Sequence, residues 1–229
     1  MDVTIELHGA VTGSCLRASV ALEEAGIPYR VVHVDTHQGQ HRRTGYLALN
    51  PAGKIPVMVN RTTGTPRTLA QSNAIVLYAA ERRPGKLLPI DDARARSITF
   101  ERYFYFITDV IAVSHAAYHV NKFLNDSKAA IHYLEQDALD VLLAAERFVA
   151  QSEFMAGRQF TIADIAAFTI TYHLRSNIDR AAVRHLQRWF QAVGTRAATQ
   201  RGMRAFDLAH GAPARAAPSA EAASSAVAV

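Results

Sequence analysis

Residues 3–34, VTIELHGAVTGSCLRASVALEEAGIPYRVVHV, decide the fold because their hydrophobic period changes twice. Val3–His8 alternates apolar and polar residues, the period of a strand with one buried face. Between Leu16 and Ala25, the apolar Leu16, Val20, Ala21 and Leu22 leave Arg17, Ser19, Glu23 and Glu24 on the outside, which predicts a short amphipathic helix. Gly26 and Pro28 stop it. Tyr29–Val34 is rich in β-branched residues and predicts a second strand. Strand, helix and strand in that order form a βαβ unit with a right-handed crossover.

Outward from this unit, the polar stretch Asp35–Gly45 reads as a loop. A short helical turn follows with Tyr46, Leu47 and Leu49. Asn50–Gly53 is a turn before the strand Ile55–Val59, and Pro56 sits near its start, where a residue without an N–H is tolerated. Arg61–Pro66 forms a hairpin loop, Arg67–Leu69 returns, and Gln71–Glu81 is a helix that turns Ile75, Leu77, Tyr78 and Ala79 inward. Arg83–Asp92, with two prolines and a glycine, reads as a linker. Beyond it the periodicity is helical, over about 93–120, 127–151, 161–177 and 181–199, with no strand. Thr161 and Asp164 have the spacing of a helix N-cap and its reciprocal partner. Residues 211–229 are a low-complexity Ala/Pro/Ser tail. The expected organisation is an α/β domain over 1–82, a linker over 83–92, an all-α domain over 93–210 and a tail over 211–229.

Composition excludes several function classes. At 229 residues, 49% hydrophobic and 20% charged, the chain has enough apolar content for a core, which disordered chains lack. No run approaches the length of a membrane span, and no basic-then-apolar leader follows Met1, so a cytoplasmic protein is expected. Cys15 is the one cysteine, so the chain forms no internal disulfide, CxxC pair or cysteine-rich zinc site. The net charge of +5 comes from arginines spread along the chain, and the Arg180, Arg184, Arg188 stripe lacks the aromatic company of a nucleic-acid surface. His115 with His119, and His37 with His41, have i, i+4 spacing but no acidic third ligand, so no metal is expected.

Asn50-Pro51-Ala52-Gly53-Lys54-Ile55-Pro56-Val57-Met58, followed by Gln71-Ser72-Asn73-Ala74-Ile75, resembles the cytosolic glutathione transferases. Leu22–Tyr29 is similar to the end of their first helix, and Thr161–Asp164 to the capping box of their helical domain. The resemblance implies a thioredoxin-like N-terminal domain, an all-α C-terminal domain, a homodimer and a cis peptide at Ile55–Pro56. It also implies that the Ile55 backbone pairs with the cysteinyl part of glutathione.

Glutathione's thiol, with a pKa of about 8.5, has to be held as the thiolate to act as a nucleophile. A helix N-terminus and an aimed hydroxyl both favour the anion. The turn between the first strand and helix holds Ser14, the first choice as donor, then Thr12, then Cys15. Ser14 could equally be the helix N-cap, and Cys15 a small buried hydrophobe. His8 and Gly9 stand where some classes of the family carry a tyrosine, which leaves the class open. By the resemblance, Ser72 holds the γ-glutamyl carboxylate and Gln71 its other polar groups, while Lys54 and His41 meet the glycyl carboxylate. Tyr103, Phe106 and Tyr118, on the helix after the linker, are candidates to line a pocket for a small apolar electrophile. The implied activity is conjugation of glutathione to such electrophiles. The alternatives are a glutathione-dependent disulfide reductase or peroxidase, and a non-catalytic glutathione-binding protein.

Overall fold

The computed structural model describes residues 4–62, 65–124 and 127–207. The expected tail over 211–229 and the Val3 start of the first strand lie outside them. The N-terminal half runs β1 (Ile5–Gly9), α1 (Gly13–Ala25), β2 (Arg30–His33), α2 (Thr44–Leu47), β3 (Val57–Asn60), β4 (Arg67–Ala70) and α3 (Ser72–Arg82). Its sheet has the order β2-β1-β3-β4, with β1 parallel to β2 and antiparallel to β3, and β3 antiparallel to β4. This is the thioredoxin-like arrangement.

Alternation along the strands builds two layers. Ile5, Leu7 and Met58 join α1 and α3 in the main core, while Val57 and Val59 face the other way onto Val34 and Tyr46. Glu6 shares that second side and is buried. Its carboxylate meets Arg30, Arg61 at 3.3 Å and His8 Nε2 at 3.1 Å. Burial alone would raise its pKa, but hydrogen bonds from Arg61, His8 and Arg30 win and bring it down to about 2.

The C-terminal half is all helical among the described residues. It runs α4 (Ala93–Phe104), a π-helical stretch Tyr105–Ile111, α5 (Ala112–Phe123), α6 (Lys128–Ala144), α7 (Glu146–Val149), α8 (Ile162–Leu174), α9 (Arg184–Gly194) and α10 (Ala197–Met203). The single helix read over 181–199 is two, because Arg196 is extended and breaks the ladder. Thr161 and Asp164 form the expected reciprocal cap on α8. Asp164 is fully buried and also accepts from Met155 N at 2.9 Å and Trp189 Nε1 at 2.8 Å. Burial pushes its carboxyl up to about 6 against the pull of these donors.

Helix α1 departs from the amphipathic reading. Arg17, Ser19 and Glu24, assigned to a solvent face, are buried. The reason is that α1 is packed against α3, α8 and α10 as well as the sheet, so no solvent stripe remains. Ser19 Oγ donates to the Gly202 carbonyl at 2.7 Å. Glu24 accepts from Arg196 at 2.8 and 2.7 Å and from Thr199 at 2.9 Å. At Gly202 a Cβ would stand 2.5 Å from Val20 Cα, so α10 can approach α1 this closely only as glycine.

Two outcomes follow. Gly202→Ala should lower stability by about 1–3 kcal/mol through overpacking against backbone, read as a lower urea midpoint; an unchanged midpoint would contradict the contact. The Glu6 contribution is full above pH 4.5 and is lost as pH falls from 4.5 toward 2, because the folded pKa is the lower one. Glu6→Gln should therefore lower the melting temperature at neutral pH and show a smaller further loss on acidification than the wild type.

Candidate functional site

The first turn of α1 places the expected thiol-handling residues. Thr12, not Ser14, is the N-cap: its backbone is extended and its Oγ1 accepts from Cys15 N at 3.3 Å. Thr12 is exposed, and in the cap bond its oxygen acts as acceptor. Ser14 lies one step inside the helix and is half-buried. Cys15 is fully buried, with Sγ and the Phe206 ring both against Gly9. Burial pushes its thiol pKa up, outweighing hydrogen bonds with Thr12 and Ala10. The exposure that a mixed disulfide at Cys15 would require is therefore absent.

Beside this turn comes the loop before β3. The Ile55–Pro56 peptide is cis. Tyr46 Oη and Asn50 Nδ2 both donate to the Lys54 carbonyl, at 2.9 and 2.7 Å, and fix the loop while the Lys54 side chain stays exposed. Gly53 has φ 59°, and a Cβ there would meet Arg42 Nη1 at 2.9 Å and the His41 carbonyl at 3.0 Å, so the loop closes onto the 3₁₀ turn Gln40–Arg42 only with glycine. His41 Nδ1 is buried without a hydrogen-bond partner among the described residues. Such an atom normally has one.

At the third corner Gln71 takes φ 75°, outside the glycine-free regions, and delivers Ser72 to the first position of α3. A helix N-terminus carries free N–H groups and a positive dipole, so it suits a carboxylate. Ser72 is buried and accepts from Arg17 Nη1 at 3.1 Å. Arg17 also donates to Asn73 Oδ1 at 3.4 Å and, across to α8, to Thr169 Oγ1 at 3.2 Å. Burial lowers its pKa to about 10, which leaves it a cation at neutral pH. Sequence reasoning missed Arg17, because helical periodicity alone sends a charged residue outward.

The proposed electrophile lining does not assemble. Tyr103 and Phe106 are fully buried: Tyr103 donates its hydroxyl to the Asn73 carbonyl at 3.0 Å, and Phe106 packs edge-on against Tyr105 and Phe148. An aromatic run on a helix covered from two sides fills core before it lines a cleft. Tyr118 is exposed, with its ring parallel to His115, which also meets His119. Burial first, then the charges of His119, Lys54 and Arg17, lower the His115 pKa. His115 therefore lies within electrostatic range of the loop and helix just described.

A thioredoxin-like domain with a cis-proline loop, followed by a helical domain with a capped, buried helix, defines the class of protein. The family described as glutathione S-transferase, N-terminal domain, matches residues 14–82, and that described as glutathione S-transferase, C-terminal domain, matches residues 103–197. The chain belongs to the glutathione transferase superfamily. It is 27% identical over 200 residues to the disulfide-bond oxidoreductase YfcG of Escherichia coli, covering 85% of this chain and 92% of that protein. It is 29% identical over 189 residues to the glutathione S-transferase GstB of the same organism, covering 80% and 88%. A glutathione transferase from Burkholderia graminis, solved with two glutathione molecules per subunit, superposes with a TM-score of 0.76 at 25% identity, covering 88% of each chain. Among the described residues no cluster of metal-ligating side chains is present, and no helix is long and apolar enough to cross a membrane.

The burial of Cys15 sets an expectation for its reactivity. With a raised pKa and no access, the native thiol should react with an aromatic disulfide reagent at pH 7.5 far more slowly than the same thiol in denaturant. Fast stoichiometric labelling of the folded protein would contradict the packing.

Proposed function

We propose that this protein is a glutathione-dependent disulfide oxidoreductase in which the working thiol belongs to bound glutathione. The observation that carries the reading is where the aromatic residues expected to line an apolar pocket go. Tyr103 and Phe106 are withdrawn into the core, and the groups near the loop are Lys54, His115 and Tyr118. A polar surface with the exposed Lys54 cation suits a second anionic thiol or disulfide better than a small apolar electrophile. The similarity to YfcG, and the two glutathione molecules in the Burkholderia graminis structure, support the same choice.

In this reading Ser72 and Gln71 hold the γ-glutamyl end, the Ile55 backbone beside Pro56 pairs with the cysteinyl part, and His41 with Lys54 meets the glycyl carboxylate. Thr12, exposed and fixed by its cap bond, donates to the sulfur, with Ser14 as the second hydroxyl of the same turn. The glutathione thiolate attacks one sulfur of the disulfide, an S–S bond forms, and the other sulfur leaves as a thiolate that takes a proton from water. A second glutathione then resolves the mixed disulfide, so two glutathiones are oxidised to their disulfide and the substrate is reduced to two thiols. A homodimer is part of the proposal: Phe100 and Phe104 stack along α4 with Phe104 exposed, an apolar strip that a second copy can cover. Conjugation to an electrophile, as the name of GstB would suggest, is the second reading.

The test is glutathione-dependent reduction of hydroxyethyl disulfide beside conjugation of an aryl chloride, for the wild type and for Thr12→Ala, Ser14→Ala and Cys15→Ala. We expect reduction to dominate, to fall about tenfold or more in Thr12→Ala through the lost charge-assisted hydrogen bond, and to survive in Cys15→Ala. Conjugation without disulfide reduction, or loss of reduction only in Cys15→Ala, would overturn it.

A further inference from the structure

We propose that Arg17 is a positioning residue whose counter-charge is supplied by the ligand: the α-carboxylate of the γ-glutamyl group, held at Ser72, completes a buried ion pair across the seam between the two domains. The inference rests on the glutathione-dependent reading above and assigns a role to a residue which that reading does not use.

The argument comes from comparing the buried ionisable groups of the molecule. The buried acidic and basic side chains are Glu6, Arg17, Glu24 and Asp164. Glu6 has Arg30 and Arg61, and Glu24 has Arg196. Asp164 has backbone, indole and hydroxyl donors around it. Arg17, like Asp164, makes no ion pair among the described residues. Its acceptors are the neutral oxygens of Ser72, Asn73 and Thr169, but, unlike Asp164, it lies beside Ser72 at the start of a helix. A buried charge without a partner is costly, and such groups are rare unless something completes them.

The direction of the hydrogen bonds indicates where the anion belongs. Ser72 accepts from Arg17, so its own hydroxyl hydrogen is available to a ligand at the start of α3. A hydroxyl that accepts from a cation becomes a stronger donor, and the free N–H groups of α3 favour the same negative charge. Asn73, also bonded to Arg17, gives its carbonyl to Tyr103, which locks the base of the turn. Thr169 ties the guanidinium to α8, so a carboxylate at Ser72 is sensed in the helical domain.

The test pairs a protein charge with a ligand charge. Affinities of wild type, Arg17→Gln and Arg17→Lys are measured by calorimetry for glutathione and for 4-aminobutyryl-cysteinyl-glycine, which lacks only the α-carboxylate. KM and kcat for disulfide reduction and the ligand-free melting temperatures are taken alongside. In the wild type, removing the carboxylate should weaken binding about ten- to hundredfold, the worth of a charge-assisted hydrogen bond. In Arg17→Gln glutathione should weaken several-fold, the gap between the two ligands should narrow to what Ser72 and the α3 N–H groups alone supply, and KM should rise more than kcat falls. Arg17→Lys should restore part of the preference for glutathione. A purely structural Arg17 would instead lower the ligand-free melting temperature and leave the preference intact, which overturns the proposal. If Arg17→Gln does not fold, Arg17→Lys decides: an undiminished preference in a variant that loses the guanidinium fork overturns it, and a reduced one supports it. Wild type that binds no glutathione at millimolar concentration overturns the glutathione reading itself, whereas wild-type binding with no coupling overturns this inference alone.

Discussion

Helix α1 has no solvent face, and a helix enclosed in this way has to satisfy its polar side chains outside itself. Each of its three buried polar groups is completed by a partner outside the helix. Ser19 reaches the end of α10, Glu24 is taken by Arg196 and Thr199, and Arg17 spans α3 and α8. All but the Arg17 contacts to α3 come from the C-terminal half. The thioredoxin-like sheet thus supplies the position of α1, and the helical domain supplies the partners that make its burial tolerable.

This constraint shapes the site. Since the flanks of α1 are committed to packing, its N-terminal end is the part left open to a ligand. Thr12 is exposed there and Ser14 half-buried, whereas Cys15, one residue further, is buried with its sulfur against Gly9. The remaining corners come from loops whose tight closures are forced by backbone conformation, at Gly53 and Gln71. Among the described residues, a His41 ring atom is buried without a hydrogen-bond partner and the Arg17 guanidinium has no carboxylate. In the proposed reading an anionic ligand completes both.

Much of this was legible in the residues and some was not. Local chemistry read well: the βαβ unit, the Thr161–Asp164 cap and the break before Ala93 follow from periods, turn residues and capping spacing. The helical period misplaced Arg17, Ser19 and Glu24, because it presumes one solvent face and α1 has none. The aromatic run misled for a related reason, since Tyr103 and Phe106 face packed neighbours whose presence no single helix encodes. Ser14 and Thr12 are both plausible caps by residue type, and only backbone angles distinguish them. The unsatisfied His41 atom is a property of burial, which spacing cannot report.

The central claim is that the α1 N-terminus holds a borrowed thiol as its anion. Thiolate absorbance of glutathione bound to the wild-type protein, followed against pH, tests this directly. The account predicts a bound thiol that titrates at least one pH unit below its free value of about 8.5, with the shift reduced in Thr12→Ala. A bound thiol that titrates at its free value, with or without Thr12, would contradict it.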